Sequence, residues 1–312
     1  MKGACAAGFR KDRKAWLCGL LVLVSTQLLA GPVLVLKGPN TAPYKEALSG
    51  FRQAYSAGVE IDNGKTRELQ AKIQSDRPSL IVAIGRSSAE LAHQQAGGIP
   101  LLFVMVPHPA ESGLTGNNVG GISMDVPGSV QLARFKEILP NPKKPIAVVY
   151  NSAKSAALVA EAQKAAPGLD LALEQVPVES PEQVSMRISL VKPIIGAIWI
   201  VPDESFVTKE GDKWFTDLLR ETTALRLPFL ITMNASSTFV ERGALAALVS
   251  DYLGMGRQCG ELVKEIESGK TKVESAGIRP PEALSWQVNV GTAEKIGLSV
   301  PQTVLNSAKV YR

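Results

Sequence analysis

Leu80-Ile81-Val82-Ala83-Ile84-Gly85-Arg86-Ser87-Ser88 decides how this 312-residue chain is read. Its unbroken apolar run suits a strand of a parallel sheet that is buried on both faces. The serines beyond it are residues that start helices by satisfying unpaired N–H groups. Three runs further along end in the same way. Ile146–Tyr150 runs into Asn151-Ser152, Ala197–Val201 into Pro202-Asp203-Glu204-Ser205, and Phe229–Met233 into Asn234-Ala235-Ser236-Ser237. The carboxyl ends of such strands are where open α/β sheets hold ligands.

The pattern extends to the whole chain. Strands are predicted at 33–37, 59–62, 80–85, 101–106, 119–123, 146–150, 170–176, 197–201, 229–233 and 245–249. Helices are predicted at 43–56, 65–75, 87–95, 128–139, 153–165, 181–191, 209–225 and 253–268. Strand–helix alternation of this kind is the signature of an α/β fold with parallel sheets. It runs twice, over 33–106 and again over 146–233, so two similar lobes are expected to share one cleft. Crossings between lobes are expected at Met124–Gly128, at Ser250–Tyr252 and near Pro280-Pro281, and several crossings together make a hinge. The expected division is lobe one at 31–125 with 253–277 and lobe two at 126–252 with 278–312.

The net charge of +5 raises the question of nucleic acid, but its distribution answers against it. Lys2, Arg10, Lys11, Arg13 and Lys14 outweigh Asp12 within the first 30 residues, which leaves the body close to neutral. A near-neutral body has no electrostatic footprint for a phosphate backbone. The same 30 residues have the anatomy of an export signal, with a basic start, the apolar Ala15–Val24 and then Ser25 to Ala30. The apolar core is shorter than the roughly 20 residues that span a bilayer. Pro32 stands where a lipidated Cys would be, so export to the periplasm without a lipid anchor is expected. Removing the leader takes Cys5 and Cys18 with it, leaving Cys259 as a small core residue.

Candidate binding residues lie at the strand ends, each with a plainer alternative. Ser87 and Ser88 open a helix whose first N–H groups attract anions, or they only cap it. Asn40 and Thr41 follow the first strand and offer hydrogen bonds, with Tyr44 as an apolar wall, or they form a simple turn. His108 sits on a rigid loop after the fourth strand, lining the cleft or lying on the surface. Asp203 and Asp251 follow apolar runs, where a carboxylate pairs with a ligand amino group or caps a turn. Asn151, Ser152, Ser205, Asn234 and Ser236 complete the set.

Other chemistry is disfavoured. Gly254-Met255-Gly256-Arg257-Gln258-Cys259-Gly260 has the wrong spacing and position for a dinucleotide loop, and reads as glycines that let a helix pack closely on a sheet. His93 and His108 are far apart, with no Cys/His cluster for a metal and no Ser–His pair for catalysis. Aromatic residues make up 5% of the chain, too few for the stacking platforms of a sugar site.

Three segments resemble one family. They are Val119–Pro127 with Gln131–Pro140 and Ile146–Asn151, then Gly243–Gln258, then Val288–Pro301. They are similar to the substrate-binding proteins of ABC transporters typified by tryptophan- and tyrosine-associated members, and they recur in order over most of the chain. The resemblance implies a type I periplasmic-binding-protein fold, two Rossmann-like lobes joined by a multi-segment hinge. It also implies capture of a small solute, often an amino acid, for delivery to a membrane permease, with ligand positions at Ser87, Ser88, Asn151, Asp203 and Asn234 to Ser237. This chain departs from the family at His108-Pro109 and in the short segment Val59–Gly64.

The expectation is a monomeric, exported solute-binding protein with no cofactor, metal or catalytic residue. Ser87 and Ser88 would meet the solute's anionic end and Asp203, with Asp251, its cationic end. Asn151, Asn234 and Ser236 would supply neutral hydrogen bonds. A ligand sensor signalling to a membrane kinase and an α/β enzyme are the rival readings.

Overall fold

The computed structural model describes residues 31–62, 65–139, 142–201, 206, 213–232 and 237–312, so the expected leader lies outside the described residues. Gly31–Arg312 forms one compact unit. Its first half contains β1 (Val33–Leu36), α1 (Ala42–Ala54), β2 (Val59–Ile61), α2 (Thr66–Asp76), β3 (Leu80–Ile84), α3 (Arg86–Gln95), β4 (Leu101–Val106) and β5 (Val119–Ser123). Then follow α4 (Gly128–Ile138), β6 (Ile146–Asn151), α5 (Ser152–Ala165), β7 (Leu173–Val178), α6 (Val184–Val191), β8 (Ala197–Ile200), α7 (Lys213–Ala224), β9 (Phe229–Thr232), α8 (Ser237–Glu241) and β10 (Ala246–Ser250). The chain closes with α9 (Tyr252–Glu267), α10 (Val273–Ala276), β11 (Ile278–Arg279), β12 (Leu284–Asn289), α11 (Val290–Ile296), α12 (Gln302–Leu305) and β13 (Lys309–Tyr311).

Two sheets result, in the orders β11-β5-β4-β3-β1-β2 and β13-β12-β10-β9-β8-β6-β7. The order 5-4-3-1-2 of the first recurs as 10-9-8-6-7 in the second, which is the duplication read from the sequence. Described strand pairs are parallel except β10 with β12. Every residue of β1, β3, β4, β5 and β10 is buried, as continuous apolar runs require of strands covered on both faces. β7 alternates instead, and it lies at a sheet edge, where Pro177 forfeits no ladder bond it needs. It begins three residues later than predicted because Ala166–Leu169 forms a 3-10 turn and Asp170 turns left-handed, with φ 56°.

Elements beyond residue 270 went unpredicted, being short or, in β12, half-buried. β11 still pairs with β5 of the first sheet, and the chain then runs through Pro280–Ala283 to β12 of the second. The other crossings are Met124–Pro127, between β5 and α4, and Asp251, between β10 and α9.

α9 follows the second sheet in sequence but packs on the first, where Met255, Cys259, Leu262 and Val263 join β1, β3 and β4. The glycine run needs a correction. Gly256 and Gly260 let α9 approach the helix α1, rather than a sheet. A Cβ on Gly256 would collide with the Ala47 carbonyl, and one on Gly260 would stand 2.8 Å from Ala54 Cβ. Gly50 of α1 abuts the Leu253 carbonyl in return. Small residues on both partners bring the two backbones together.

Candidate functional site

In each sheet the strand order reverses at one place, the crevice where doubly wound sheets bind ligands. In the first sheet this is between β1 and β3. The Tyr44 ring lies across the carboxyl ends of both strands. A Cβ on Gly38 would fall 2.6 Å from Tyr44 Cδ1, and one on Gly85, at φ 89°, would fall 2.5 Å from Cε1. Only glycines seat the ring there. Gly85 is the N-cap of α3, so Ser87 and Ser88 stand in its first turn. Ser87 is exposed at the rim. Ser88 is fully buried and its hydroxyl donates to the Lys37 carbonyl at 3.0 Å, tying the β1 exit to α3.

Asn40 and Thr41 are exposed, and Thr41 is the N-cap of α1 without a side-chain capping bond. Beside them opens a groove of about 800 Å³ lined by Lys37, Asn40, Tyr44, Lys45, Arg52 and Asp62. Its charges are largely paired. Lys37 Nζ lies 2.6 Å from Asp62, and Arg52 makes two bonds to Glu60. The Lys37 hydrogen bond holds the Asp62 carboxyl below its ordinary range and raises the lysine in turn.

The second reversal lies between β6 and β8. Asn151 is the N-cap of α5, with Oδ1 accepting the Ala153 N–H at 3.0 Å, and Ser152 is exposed in the first turn. Asp203 and Ser205 follow β8, and Asn234 and Ser236 follow β9. All four lie outside the described residues. Asp251 accepts the Gly254 N–H at 3.1 Å and caps α9, the plainer of its two expected roles. Beside it, burial and then the charges of Glu46 and Tyr44 raise the Tyr252 phenol, and Tyr252 and Tyr44 both pack against the core on one face of the first sheet.

Between the sheets lies a cavity of about 100 Å³. The first sheet contributes Pro107 and His108 from the β4 exit. The crossing segment adds Met124, Asp125 and Val126, and α4 and α5 add Gln131, Ser155 and Leu158. The second sheet contributes Val201, Thr232 and Leu248. The β4 exit is distorted. Met105 sits at φ 62° where the β4–β5 register slips, and His108 at φ 44°. Such outliers cluster at binding sites and persist only where their surroundings hold them. Here the holder is Asp125, whose two oxygens each accept the His108 backbone N–H at 3.1 Å. Thr232 is held as well, its Oγ1 accepting Trp199 Nε1 at 3.1 Å.

Thus His108 reaches the inter-sheet cavity, while Asn40, Thr41, Ser87 and Ser88 gather at the first reversal and Asn151 and Ser152 at the second. Sequence reasoning missed Asp125, Gln131 and Ser155. A signal existed for the last two. Gln131, Phe135 and Ile138, like Ser155, Val159 and Ala162, are spaced i, i+4, i+7, so each polar residue occupies a buried-face position of its helix.

Among the described residues, no helix is long and apolar enough to cross a membrane. The chain is 25% identical over 235 residues to a tyrosine-binding protein from Clostridioides difficile (strain R20291). That match spans 71% of this chain and 66% of the relative, just under two thirds of its length. The fold is similar to the ligand-free, open structure of a substrate-binding protein with adhesive properties from Clostridium difficile. The two share 20% identity and a TM-score of 0.69, over 91% of this chain and 99% of that one. It is also similar to an ABC domain in complex with L-Trp from Streptococcus pneumonia, at 19% identity and a TM-score of 0.53, over 90% of this chain and 100% of that one. The family model for ABC transporter substrate binding proteins matches residues 54–311, and the chain belongs to that family.

Proposed function

We propose that this chain is the exported solute-binding component of an ABC importer, and that it closes on a small polar solute, an amino acid or a close relative. The observation that carries this is the cavity at the crossings, lined from the β4 exit on one side and from β8, β9 and β10 on the other. Groups contributed by both sheets can hold one molecule between them, and three crossings allow the sheets to move about it. The names of the relatives, one tyrosine-binding and one holding L-Trp, support an amino acid.

The proposed roles follow the geometry. Ser87 and the first turn of α3 meet the carboxylate, with Tyr44 as the flat wall beside it. Asp203 meets the ammonium, since the Asp251 carboxylate is engaged in capping α9. Asn151, Asn234 and Ser236 supply neutral bonds, and no chemical step is required of any residue. The proposed lobes are 31–125 with 253–279 and 126–252 with 280–312, the pairing of β11 with β5 supporting a return after Arg279. Residues 1–30 act as a cleaved leader, and the mature protein works as a periplasmic monomer with a membrane permease as partner.

A thermal-shift screen of the protein against amino acids, short peptides, nucleosides and organic acids tests this. A solute at 100 times its Kd adds about 2.7 kcal/mol to stability, a shift of several degrees. A hit recovered unchanged after long incubation supports binding. Turnover of the hit would refute it.

A further inference from the structure

The cavity between the sheets is lined by two polar side chains with hydrogen-bonding capacity to spare, Gln131 and Ser155. Gln131 is 4% exposed and Ser155 8% exposed. Gln131 Nε2 donates to the Val126 carbonyl at 2.6 Å, which fixes the orientation of its amide, and its buried Oε1 has no partner among the described residues. Among the described residues the Ser155 hydroxyl has none either. A buried acceptor such as Gln131 Oε1 costs about 1–3 kcal/mol when unsatisfied, so a native fold carries it where something else completes it.

We infer that this cavity is a specificity subsite for an uncharged group that both donates and accepts hydrogen bonds, a hydroxyl or a primary carboxamide at the end of the solute. The inference rests on the solute-binding reading above and assigns the part of the solute that enters deepest. Gln131 Oε1 can only accept, so the entering group must carry an N–H or O–H. Ser155 can then take or give the second bond.

The cavity does not suit a charge. Val126, Leu158, Val201 and Leu248 are part of its lining and offer a charge no hydrogen bond from their side chains. The carboxylate present, Asp125, has both oxygens on the His108 N–H. Size narrows the choice as well. A cavity of about 150 Å³ holds a benzene ring, so roughly 100 Å³ admits a small polar group or waters rather than a whole amino acid.

The test is titration calorimetry on the whole chain with three matched pairs: L-tyrosine and L-phenylalanine, L-glutamine and L-methionine, L-asparagine and L-leucine. The wild-type protein should prefer the polar member of at least one pair by about 100-fold or more, as sites built to hydrogen-bond do. Gln131→Leu should reduce that preference to within about threefold, chiefly by weakening the polar member. Ser155→Ala should reduce it about tenfold, and it decides the matter if Gln131→Leu does not fold by circular dichroism. An unchanged preference in both variants, or a wild-type preference for the apolar members, overturns the subsite and leaves the binding-protein reading standing. Binding of none of the six overturns the amino-acid reading and the subsite with it.

Discussion

Asp125 holds His108 by its backbone: both carboxylate oxygens accept the His108 N–H at 3.1 Å, while Nδ1 of the imidazole stays 3.5 Å away. The pair joins the β4 exit of the first sheet to the segment that crosses to the second. A left-handed φ of 44° is unfavourable for an L-residue with a side chain, and this anchor is what sustains it. Asp125→Ala should therefore lower stability by about 1–2 kcal/mol, read as a shift of the urea midpoint at constant slope. His108→Gly keeps the N–H bond and removes the left-handed penalty, so it should cost less than about 1 kcal/mol. Equal losses in the two variants would mean that the imidazole, not the backbone, makes the contact.

The approach of α9 to α1 leaves no room for a methyl group. Gly256→Ala would drive a Cβ into the Ala47 carbonyl and should cost about 2 kcal/mol or more, as overpacking does. Gly168→Ala is the control, since nothing lies within 4 Å of its added Cβ, and it should stay within about 0.5 kcal/mol of wild type. Thermal unfolding of both variants checks the contrast.

Tyr44 and Gly85 form a lock that a double variant can test. Gly85→Ala should cost about 2 kcal/mol, because the new Cβ falls 2.5 Å from the Tyr44 ring and φ is 89°. Adding Tyr44→Ala removes the clash but not the backbone strain, so it should restore part of the loss. Strict additivity of the two changes would show that the ring does not rest on Gly85.

How much of this was legible in the sequence depends on whether the deciding force was periodic. Leu80–Ile84 announced a doubly buried strand because each residue is apolar, and the doubled strand order followed from counting such runs. The role of Gly256 was not legible, because a glycine shows that something comes close without showing whether it is a helix or a sheet. Ser88 illustrates the same limit at the site. Its place after β3 was evident, but only the path of Lys37 shows that its hydroxyl serves the neighbouring loop. Gln131 was readable in principle as a polar residue on a buried face, a signal easily lost among the apolar neighbours Leu132 and Phe135.

Cys259 is fully buried, and burial pushes its thiol up to about 12. The neutral thiol therefore persists at every pH below that value, and a thiolate-selective reagent should find nothing to attack in the native protein. With Cys5 and Cys18 changed to Ser, labelling by a chromogenic disulfide at pH 8 should be negligible until denaturant is added, then stoichiometric. Fast native labelling would contradict the packing of α9.

Isothermal titration with the strongest hit of the solute screen, on the wild-type protein and on the variant carrying both Ser87→Ala and Asp203→Ala, tests most directly whether a solute is held between the two sheets by its opposite charges. The double variant should bind at least about 100-fold more weakly, two charge-assisted bonds being lost, each worth 1.5–3 kcal/mol or so, while its unfolding midpoint without solute stays near that of wild type. An affinity equal to that of wild type would contradict it.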